Sequence, residues 1–237
     1  MKKILFLSIA YVTLLSCTQG VPSLKFDGMF GNVQSVRESK YEAVEKFGEA
    51  IPEELEEVLI LEFDKKGHLL KNFVYDDEGD RLYGWEQVYD GDVVIQSKNY
   101  VWKEKEPVVT DLISHDKGCY TYKFTSKDTT YSYSQNLFED KLYRKITDTE
   151  GTSVSEIWFN KKGQFVEQKE IRNGELVFWI IRKYSEQGML TEEELRGDYP
   201  NRRTIKYTEF DTKGNWITAI MFDDGDAYVL KRDIKYW

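Results

Sequence analysis

Residues 63–69 read FDKKGHL, residues 159–165 read FNKKGQF, and residues 210–216 read FDTKGNW. All three stretches have an aromatic residue, Asp or Asn, two polar residues, glycine, one polar residue and a large apolar residue. An Asp or Asn side chain caps a type I turn, and the glycine after it accepts the left-handed conformation of a bulge. Each stretch is therefore predicted to be a hairpin turn between two antiparallel strands. The turn residues are Asp64, Gly67, Asn160, Gly163, Asp211 and Gly214.

The similarity continues beyond these turns. Twelve residues after each aromatic residue, a large residue enters a second turn, and a tyrosine closes each unit further on. The second markers are Tyr75, Ile171 and Phe222, and the closing tyrosines are Tyr89, Tyr184 and Tyr236. Three copies of a two-turn, three-strand unit are therefore predicted, over residues 57–100, 153–195 and 203–237.

Between the copies, apolar and polar residues alternate at 120–125 and 131–134, which is typical of strands with one buried face. Residues 115–118 and 147–151 resemble degenerate turns, and 33–41 fits a first strand. For 41–57 we expect a loop or a single helical turn. The fold class predicted for residues 27–237 is one all-β domain, an antiparallel meander of roughly a dozen or more short strands. We expect this sheet to curl on itself and bury one face.

The N-terminus has the features of an export signal. Lys2 and Lys3 precede a nearly continuous apolar run over residues 4–15, shorter than the roughly 20 residues of a membrane-spanning helix. The sequence LLSC then ends at Cys17 and resembles the lipobox of bacterial lipoproteins. This resemblance implies a signal peptide at 1–16, acylation of Cys17 and a lipidated tether at 17–26. The implied partner is a lipid bilayer.

Charge and flanking residues bear on location and partners. Removal of residues 1–16, which contain two lysines and no acid, changes the net charge from −9 to −11. A chain this acidic repels nucleic-acid phosphates, so no nucleic-acid partner is expected. Thr18 follows the lipid acceptor, which by resemblance to the enteric sorting rule favours the outer membrane. No acidic cluster follows Cys17, which favours the periplasmic face over surface display.

The turn motif resembles the YD (RHS-type) repeats of bacterial envelope proteins, including small exported lipoproteins of the Bacteroidota. The best match is residues 207–216, YTEFDTKGNW. The resemblance covers roughly half of the mature chain and implies β-hairpin architecture. In large members the repeats form a shell around a toxin, but this short chain has no toxin module, so that role is not expected. Such repeats have also been associated with carbohydrate binding, which makes a glycan one candidate ligand.

The sequence shows no recognisable catalytic, cofactor or metal motif. His68 and His115 lie in or beside turn motifs, where solvent exposure is expected, and Cys119 is expected to be a buried, inert thiol. Metal-binding CxxC and HExxH spacings and nucleotide-binding glycine loops are absent. The acidic turns at 76–80 and 223–226 lack the ligand spacing of a calcium loop. We therefore expect no catalytic residues, no cofactor and no metal.

Tryptophan is the remaining candidate for binding. The candidates are Trp85, Trp158, Trp179 and Trp216, which lie at or near strand positions. Trp216 occupies the position of Leu69 and Phe165 in the other copies, which favours burial. Trp158 aligns with Glu62 and Glu209, which favours a solvent-facing position. Residues 176–181 are apolar at every position, so this strand is either central between two layers or presents an apolar face outward.

Three hypotheses for function follow. The first is a membrane-anchored, non-enzymatic envelope lipoprotein that acts as a scaffold or protein-interaction module. The second is a carbohydrate-binding module that uses exposed strand aromatics. The third is a glycoside hydrolase with a pair of carboxylates, although the sequence singles out no pair among its 42 acidic residues.

Overall fold

The computed structural model describes residues 29–47, 49–102, 106–116, 119–125, 130–136, 143–148, 153–197 and 200–237. The predicted signal peptide at 1–16 and the tether at 17–26, with Cys17, lie outside the described residues. Cys119 and His115 are placed by their backbone alone.

The described chain forms sixteen β-strands and no helix. No described segment is a helix long and apolar enough to cross a membrane. The strands are β1 (Val33–Lys46), β2 (Glu49–Phe63), β3 (Leu69–Asp76), β4 (Arg81–Asp90), β5 (Val93–Tyr100), β6 (Val108–Asp116), β7 (Cys119–Thr125), β8 (Thr130–Asn136), β9 (Tyr143–Asp148), β10 (Ser153–Phe159), β11 (Phe165–Arg172), β12 (Glu175–Tyr184), β13 (Leu190–Gly197), β14 (Asn201–Phe210), β15 (Trp216–Asp223) and β16 (Asp226–Tyr236).

Every strand pairs antiparallel with the next strand in the chain, and β1 also pairs with β16, so the sheet is a closed barrel. The closing register runs from Val33 opposite Tyr236 to Glu42 opposite Tyr228. One more hydrogen bond, from Trp237 N to Asn32 O at 3.0 Å, extends it. The predicted all-β antiparallel meander is confirmed, and closure leaves no unpaired edge strand.

Because successive strands alternate in direction, the turns divide between two ends of the sheet. The terminal end holds Met29–Asn32, Trp237 and the turns that leave even-numbered strands, including 63–69, 159–165 and 210–216. The far end holds the turns that leave odd-numbered strands, including 76–81, 172–175 and 223–226. All three copies of the sequence motif thus lie at the end where the chain begins and finishes.

One face of the sheet is buried inside the closed structure. Opposite residues on paired strands share a face, and the row Ile234–Val36–Leu61–Asn72–Trp85 crosses five strands. Val36, Leu61 and Trp85 in this row belong to a buried cluster with Met29, Val33, Phe63 and Leu69. A second buried cluster contains Trp216, Ala219, Met221 and Leu230. The core therefore lies on the inner face.

The motif turns have the conformation that the sequence predicts. Gly67, Gly163 and Gly214 have φ values of 88°, 81° and 86°. In each turn the Asp or Asn Oδ1 accepts hydrogen bonds from the backbone N–H groups two and four residues later, at 2.8–3.0 Å. The Asp or Asn side chain thus accepts hydrogen bonds from backbone N–H groups that the bulge leaves without a partner on the neighbouring strand.

Two sequence interpretations require correction. Residues 41–57 form neither a loop nor a helical turn, because β1 continues to Lys46 and β2 starts at Glu49. The reversal is tight, with Phe47 at a φ of 57°, and a register shift accommodates Pro52 opposite Ala43. Residues 184–190 form a fourth motif turn, in which Ser185 replaces Asp and Gly188 has a φ of 92°.

Candidate functional site

The position after the motif glycine holds one polar residue, and in each copy this residue is buried. His68, Gln164 and Asn215 are 5%, 3% and 2% exposed. His68 Nδ1 lies 2.9 Å from Asp64 Oδ2, its Nε2 lies 3.0 Å from Asp92 Oδ1, and the ring stacks on Tyr89. The expectation that His68 is solvated is therefore wrong, because the ring joins its own turn to the following one.

Gln164 and Asn215 perform the same task in the other copies. Gln164 Nε2 donates to Gly188 O in the next turn at 2.6 Å. Asn215 accepts from Phe30 N at 2.6 Å and donates to Phe30 O at 2.8 Å and Tyr236 Oη at 2.7 Å, which holds the N-terminal segment against β16. The polar residues of the motif are thus engaged in holding the terminal end together.

The closing tyrosines of the repeat also have a structural role. Tyr89 Oη lies 2.8 Å from Gln87 Oε1 and 3.2 Å from Leu69 O, both within donating distance, and Tyr184 Oη donates to Phe165 O at 2.6 Å. Tyr236 Oη instead donates to Asp211 Oδ2, which together with burial raises the tyrosine pKa to about 12. These contacts explain why a tyrosine recurs at the third position of the repeat unit.

The tryptophan candidates separate into two pairs. Trp85 and Trp216 are 3% and 7% exposed and belong to the two inner clusters. Neither can form part of an exposed platform, so the interpretation of these two as surface binding residues is corrected. Trp158 and Trp179 lie on the outer face and are partly exposed.

Trp158 and Trp179 are the centre of an outer-face group with two cations and a tyrosine, called here the aromatic stripe. It consists of Tyr143, Trp158, Lys169, Trp179 and Arg196. Pairing across β10 to β13 aligns Glu156, Lys169, Trp179 and Arg196 in one row. The Tyr143 and Trp158 ring centroids are 5.3 Å apart.

Both indoles of the stripe contact cations. Lys169 Nζ lies 5.0 Å from the Trp158 ring centroid and 4.7 Å from that of Trp179, and the Arg196 guanidinium lies 4.6 Å from the Trp179 ring. Ile181 lies in the neighbouring row of the outer face, in which Trp158 pairs with Glu167 and Glu167 pairs with Ile181. The apolar strand noted in the sequence thus presents Trp179 and Ile181 outward. The result is an amphipathic surface of rings and cations on a rigid sheet.

The inner face carries charged groups as well as apolar clusters. Arg182 Nε lies 2.6 Å from Glu193 Oε2, Arg203 Nη1 lies 3.5 Å from Glu193 Oε1, and Arg203 Nε lies 2.9 Å from Asp223 Oδ2. Burial opposes ionisation of Glu193, but the two arginines outweigh it and lower the carboxyl pKa. Burial raises the pKa of Glu57, with Lys40 opposing it. Glu193 and Asp223 are thus engaged in charge pairing across strands.

Among the described residues, no group of three or more His, Cys, Asp or Glu side chains is placed to hold a metal ion.

Comparisons with known proteins give distant likenesses only. No family model and no curated protein matches the chain. A porin-like protein from Bacteroides uniformis has a TM-score of 0.37 at 10% identity, over 86% of this chain and 98% of that chain. The TcdB2-TccC3-Cdc42 complex has a TM-score of 0.31 at 12% identity, over 78% of this chain and 13% of that chain. A DUF1329 family protein from Desulfovibrio piger has a TM-score of 0.20 at 7% identity, over 97% and 92%.

Proposed function

We propose that this chain is a lipid-anchored protein of the bacterial cell envelope that acts as a non-enzymatic scaffold or protein-interaction module. The lipobox at Cys17 supports the anchor, and Thr18 supports placement at the outer membrane facing the periplasm. The resemblance of its turns to YD repeats supports an exported scaffold built from hairpins. The observation that supports an interaction role most directly is the aromatic stripe.

The chemistry of the stripe fits a protein partner. Tryptophan and arginine are the residue types most enriched among the energetically dominant positions of protein interfaces. A hydrogen-bonded sheet that presents Trp158, Trp179 and Arg196 side by side offers such positions with little backbone conformational entropy to lose. A glycan is a less suitable occupant, because Lys169 and Arg196 already lie over the indole rings and a sugar would have to displace them.

Site-specific photo-crosslinking in intact cells tests this proposal. A photo-reactive residue at position 181, inside the stripe, should form a discrete adduct with a protein, and Trp179→Ala should abolish that adduct. The same residue at position 206, an exposed position on β14, is the matched control and should give none. Equal adducts at both positions, or an adduct that survives Trp179→Ala, would contradict the proposed surface.

The glycan hypothesis has its own readout. Intrinsic tryptophan fluorescence is followed against a panel of envelope glycans, with Trp158→Ala as the control. A spectral change that saturates in the native chain and disappears in Trp158→Ala would replace the protein-partner proposal by carbohydrate binding. The proposal expects no saturable change with any glycan.

The anchor is tested separately. Cys17→Ser should prevent acylation and processing, because both depend on that one thiol. Metabolic labelling with palmitate should lose the labelled band, and a larger precursor should accumulate. Unchanged labelling in Cys17→Ser would refute the lipoprotein proposal.

A further inference from the structure

The terminal end of the sheet contains a cavity of about 460 Å³. Its lining comes from three places that are distant in the sequence: the N-terminal residues 29–33, the motif turn at 64–67, and the pair of turns that contribute Lys162 and Gly188. These turns belong to hairpins far apart around the ring. The cavity therefore lies where the first residues of the domain meet turns from separate parts of the barrel.

The cavity combines apolar and cationic groups. Met29 and Val33 in its lining belong to the buried apolar cluster and are 6% and 0% exposed. Lys65, Lys66 and Lys162 are exposed and also line it. Lys162 Nζ donates to Glu186 O at 2.6 Å, and Lys65 Nζ lies 5.3 Å from the Trp237 ring centroid. An amphiphile with an anionic head fits this arrangement.

The three lysines have no carboxylate partner in the described part of the chain, where none lies within 4.0 Å of their amines. Lys40, Lys71 and Lys169, by contrast, pair with glutamates at 2.7, 2.9 and 3.0 Å, so their charges are already engaged. The acid in the cavity lining, Asp64, uses both carboxylate oxygens on His68 and on the backbone of its own turn. The positive charge around the cavity is thus available to a ligand.

The length of chain between Cys17 and Met29 limits the distance between this cavity and an anchoring bilayer. Eleven residues separate Cys17 from Met29, so the distance between the two is at most about 43 Å when the chain is fully extended. Met29 itself lines the cavity, so a lipid anchor at Cys17 keeps this end of the sheet close to the bilayer. The opposite end carries acids in its exposed turns, among them Asp77, Glu78, Asp80, Asp224 and Asp226. The terminal end also has exposed acids at Asp90, Asp92 and Glu186, so its positive charge is local to the lysines of the cavity.

We propose that the cavity binds the phosphodiester headgroup of an anionic phospholipid in the bilayer to which the chain is anchored. Lys65, Lys66 and Lys162 pair with the phosphate, and Phe30, which lines the cavity and is 47% exposed, contacts the glycerol and first acyl carbons. The inference rests on the lipid anchor proposed above. A headgroup held in this way fixes the orientation of the sheet relative to the membrane.

Amine labelling of the purified, acylated chain tests the proposal. The chain is placed in vesicles of phosphatidylcholine alone and in vesicles that also contain phosphatidylglycerol, and labelling at each lysine is followed by mass spectrometry. Phosphatidylglycerol should slow labelling of Lys65, Lys66 and Lys162 by about five-fold, the factor that corresponds to the attraction of one lysine to an anionic leaflet. Lys206 and Lys231, exposed on the outer face, should be unaffected. Equal rates in both vesicles would overturn the proposal.

A triple variant separates the cavity from general surface charge. In the native chain, phosphatidylglycerol should also slow labelling of Lys161 and Lys213, which neighbour the cavity lysines. With Lys65→Gln, Lys66→Gln and Lys162→Gln, this protection should disappear. The matched triple variant Lys206→Gln, Lys231→Gln and Lys235→Gln should keep it. Protection of Lys161 and Lys213 that survives in the first variant would refute the cavity as the determinant.

Two further arms distinguish the remaining outcomes. Inorganic phosphate added to phosphatidylcholine vesicles should leave the three lysines reactive. Equal protection by phosphate would mean that the site binds a free anion and not a lipid headgroup. Retention of the chain on phosphatidylcholine vesicles reports the acyl anchor alone. Loss of that retention would defeat the proposed function, whereas retention without protection in the anionic vesicles would defeat only the headgroup site.

Discussion

The two ends of the closed sheet are made by one meander, yet their strands are held together differently. At the terminal end, a buried side chain from each motif turn reaches a separate segment, as His68 reaches Asp92 and Asn215 reaches Phe30. At the far end, the turns at Asn173–Gly174 and Asp224–Gly225 are two-residue reversals with both residues at positive φ. The inner-face ion pairs that connect β12, β13, β14 and β15 belong to neither end, because their row crosses the sheet from Arg182, near the terminal end of β12, to Asp223, at the far end of β15.

This difference has a physical consequence. Hydrogen bonds of a buried amide or imidazole require fixed geometry, so they make neighbouring turns depend on one another. We expect the terminal end to unfold as one unit with the N-terminal segment, and the far end to respond more locally.

The largest effect is expected from breaking the inner ion pairs. Arg182→Met leaves Glu193 in its inner position with only the longer contact to Arg203, and should lower the free energy of unfolding by about 3 kcal/mol. The double variant with Glu193→Leu should recover at least half of this loss. Arg202→Met, which removes an exposed cation, is the control and should have little effect. Urea unfolding measures all three, and an Arg182→Met as stable as the native chain would contradict the role assigned to the pair.

Asn215→Ala tests how much the side-chain hydrogen bonds of the terminal end contribute to stability. The substitution removes both hydrogen bonds to the Phe30 backbone and the one to Tyr236, and should cost about 2 kcal/mol. Amide exchange should accelerate at residues 29–32 before it does elsewhere. Asp77→Ala, in an exposed far-end turn, should change stability by less than about 0.5 kcal/mol. If the two substitutions cost the same, the two ends do not differ in the way described.

Substitution of a turn glycine should cost about the same stability at either end. Gly214 and Gly225 have φ values of 86° and 100°, and a Cβ at either position meets no atom closer than 3.8 Å. Replacement by Ala should therefore cost only the left-handed backbone penalty, about 1 kcal/mol at each site. Thermal unfolding of the two variants provides the measurement. A much larger loss of stability for the Gly214 variant would mean that the terminal end also restrains the backbone of its turns.

The smallest expected effect depends on pH. Burial opposes ionisation of Asp211, but hydrogen bonds from Tyr236, Asn215 and Lys213 outweigh it and lower the carboxyl pKa. A carboxyl with a lowered pKa contributes stability that is complete above its unfolded value of 3.8 and is lost as pH falls through the folded value. Asp211→Asn should therefore reduce the loss of stability in acid. Urea unfolding at pH 5 and pH 2.5 tests this, and an unchanged pH slope would contradict it.

The parts of the fold that depend on local chemistry were accessible from sequence. Asp64 and Gly67 define a turn type by their own side chain and backbone preferences, and alternation defines the strands beside them. The turn at 184–190 was not predicted, because Ser185 stands in place of Asp. Its Oγ nevertheless accepts a hydrogen bond from Met189 N at 3.2 Å. A pattern that allowed Ser at that position, followed by glycine three residues later, would have found it.

Long-range features were not accessible in the same way. Pairing of β1 with β16 places Glu38 within hydrogen-bond distance of Arg232, and no local periodicity in the sequence predicts such a contact. The burial of His68 depends on Asp92 in a different turn, so the residue type alone indicated an exposed position. Alignment of Trp158 with Glu62 and Glu209 pointed to its outer-face position. Its association with Trp179 through Lys169 depends on strand register, which the sequence does not display.

Closure of the sheet by its first and last strands has a consequence for the order of assembly. Interior hairpins can pair as soon as both of their strands are present, but β1 obtains its second neighbour only when β16 is complete. The contacts between them join residues near opposite ends of the chain, so they carry the largest loop-closure entropy in the molecule and should form last. A chain exported from the cytoplasm would therefore remain an open, curled sheet until its final residues arrive. Truncation of β16 would expose two edges at once, and with them a route to strand exchange between neighbouring molecules.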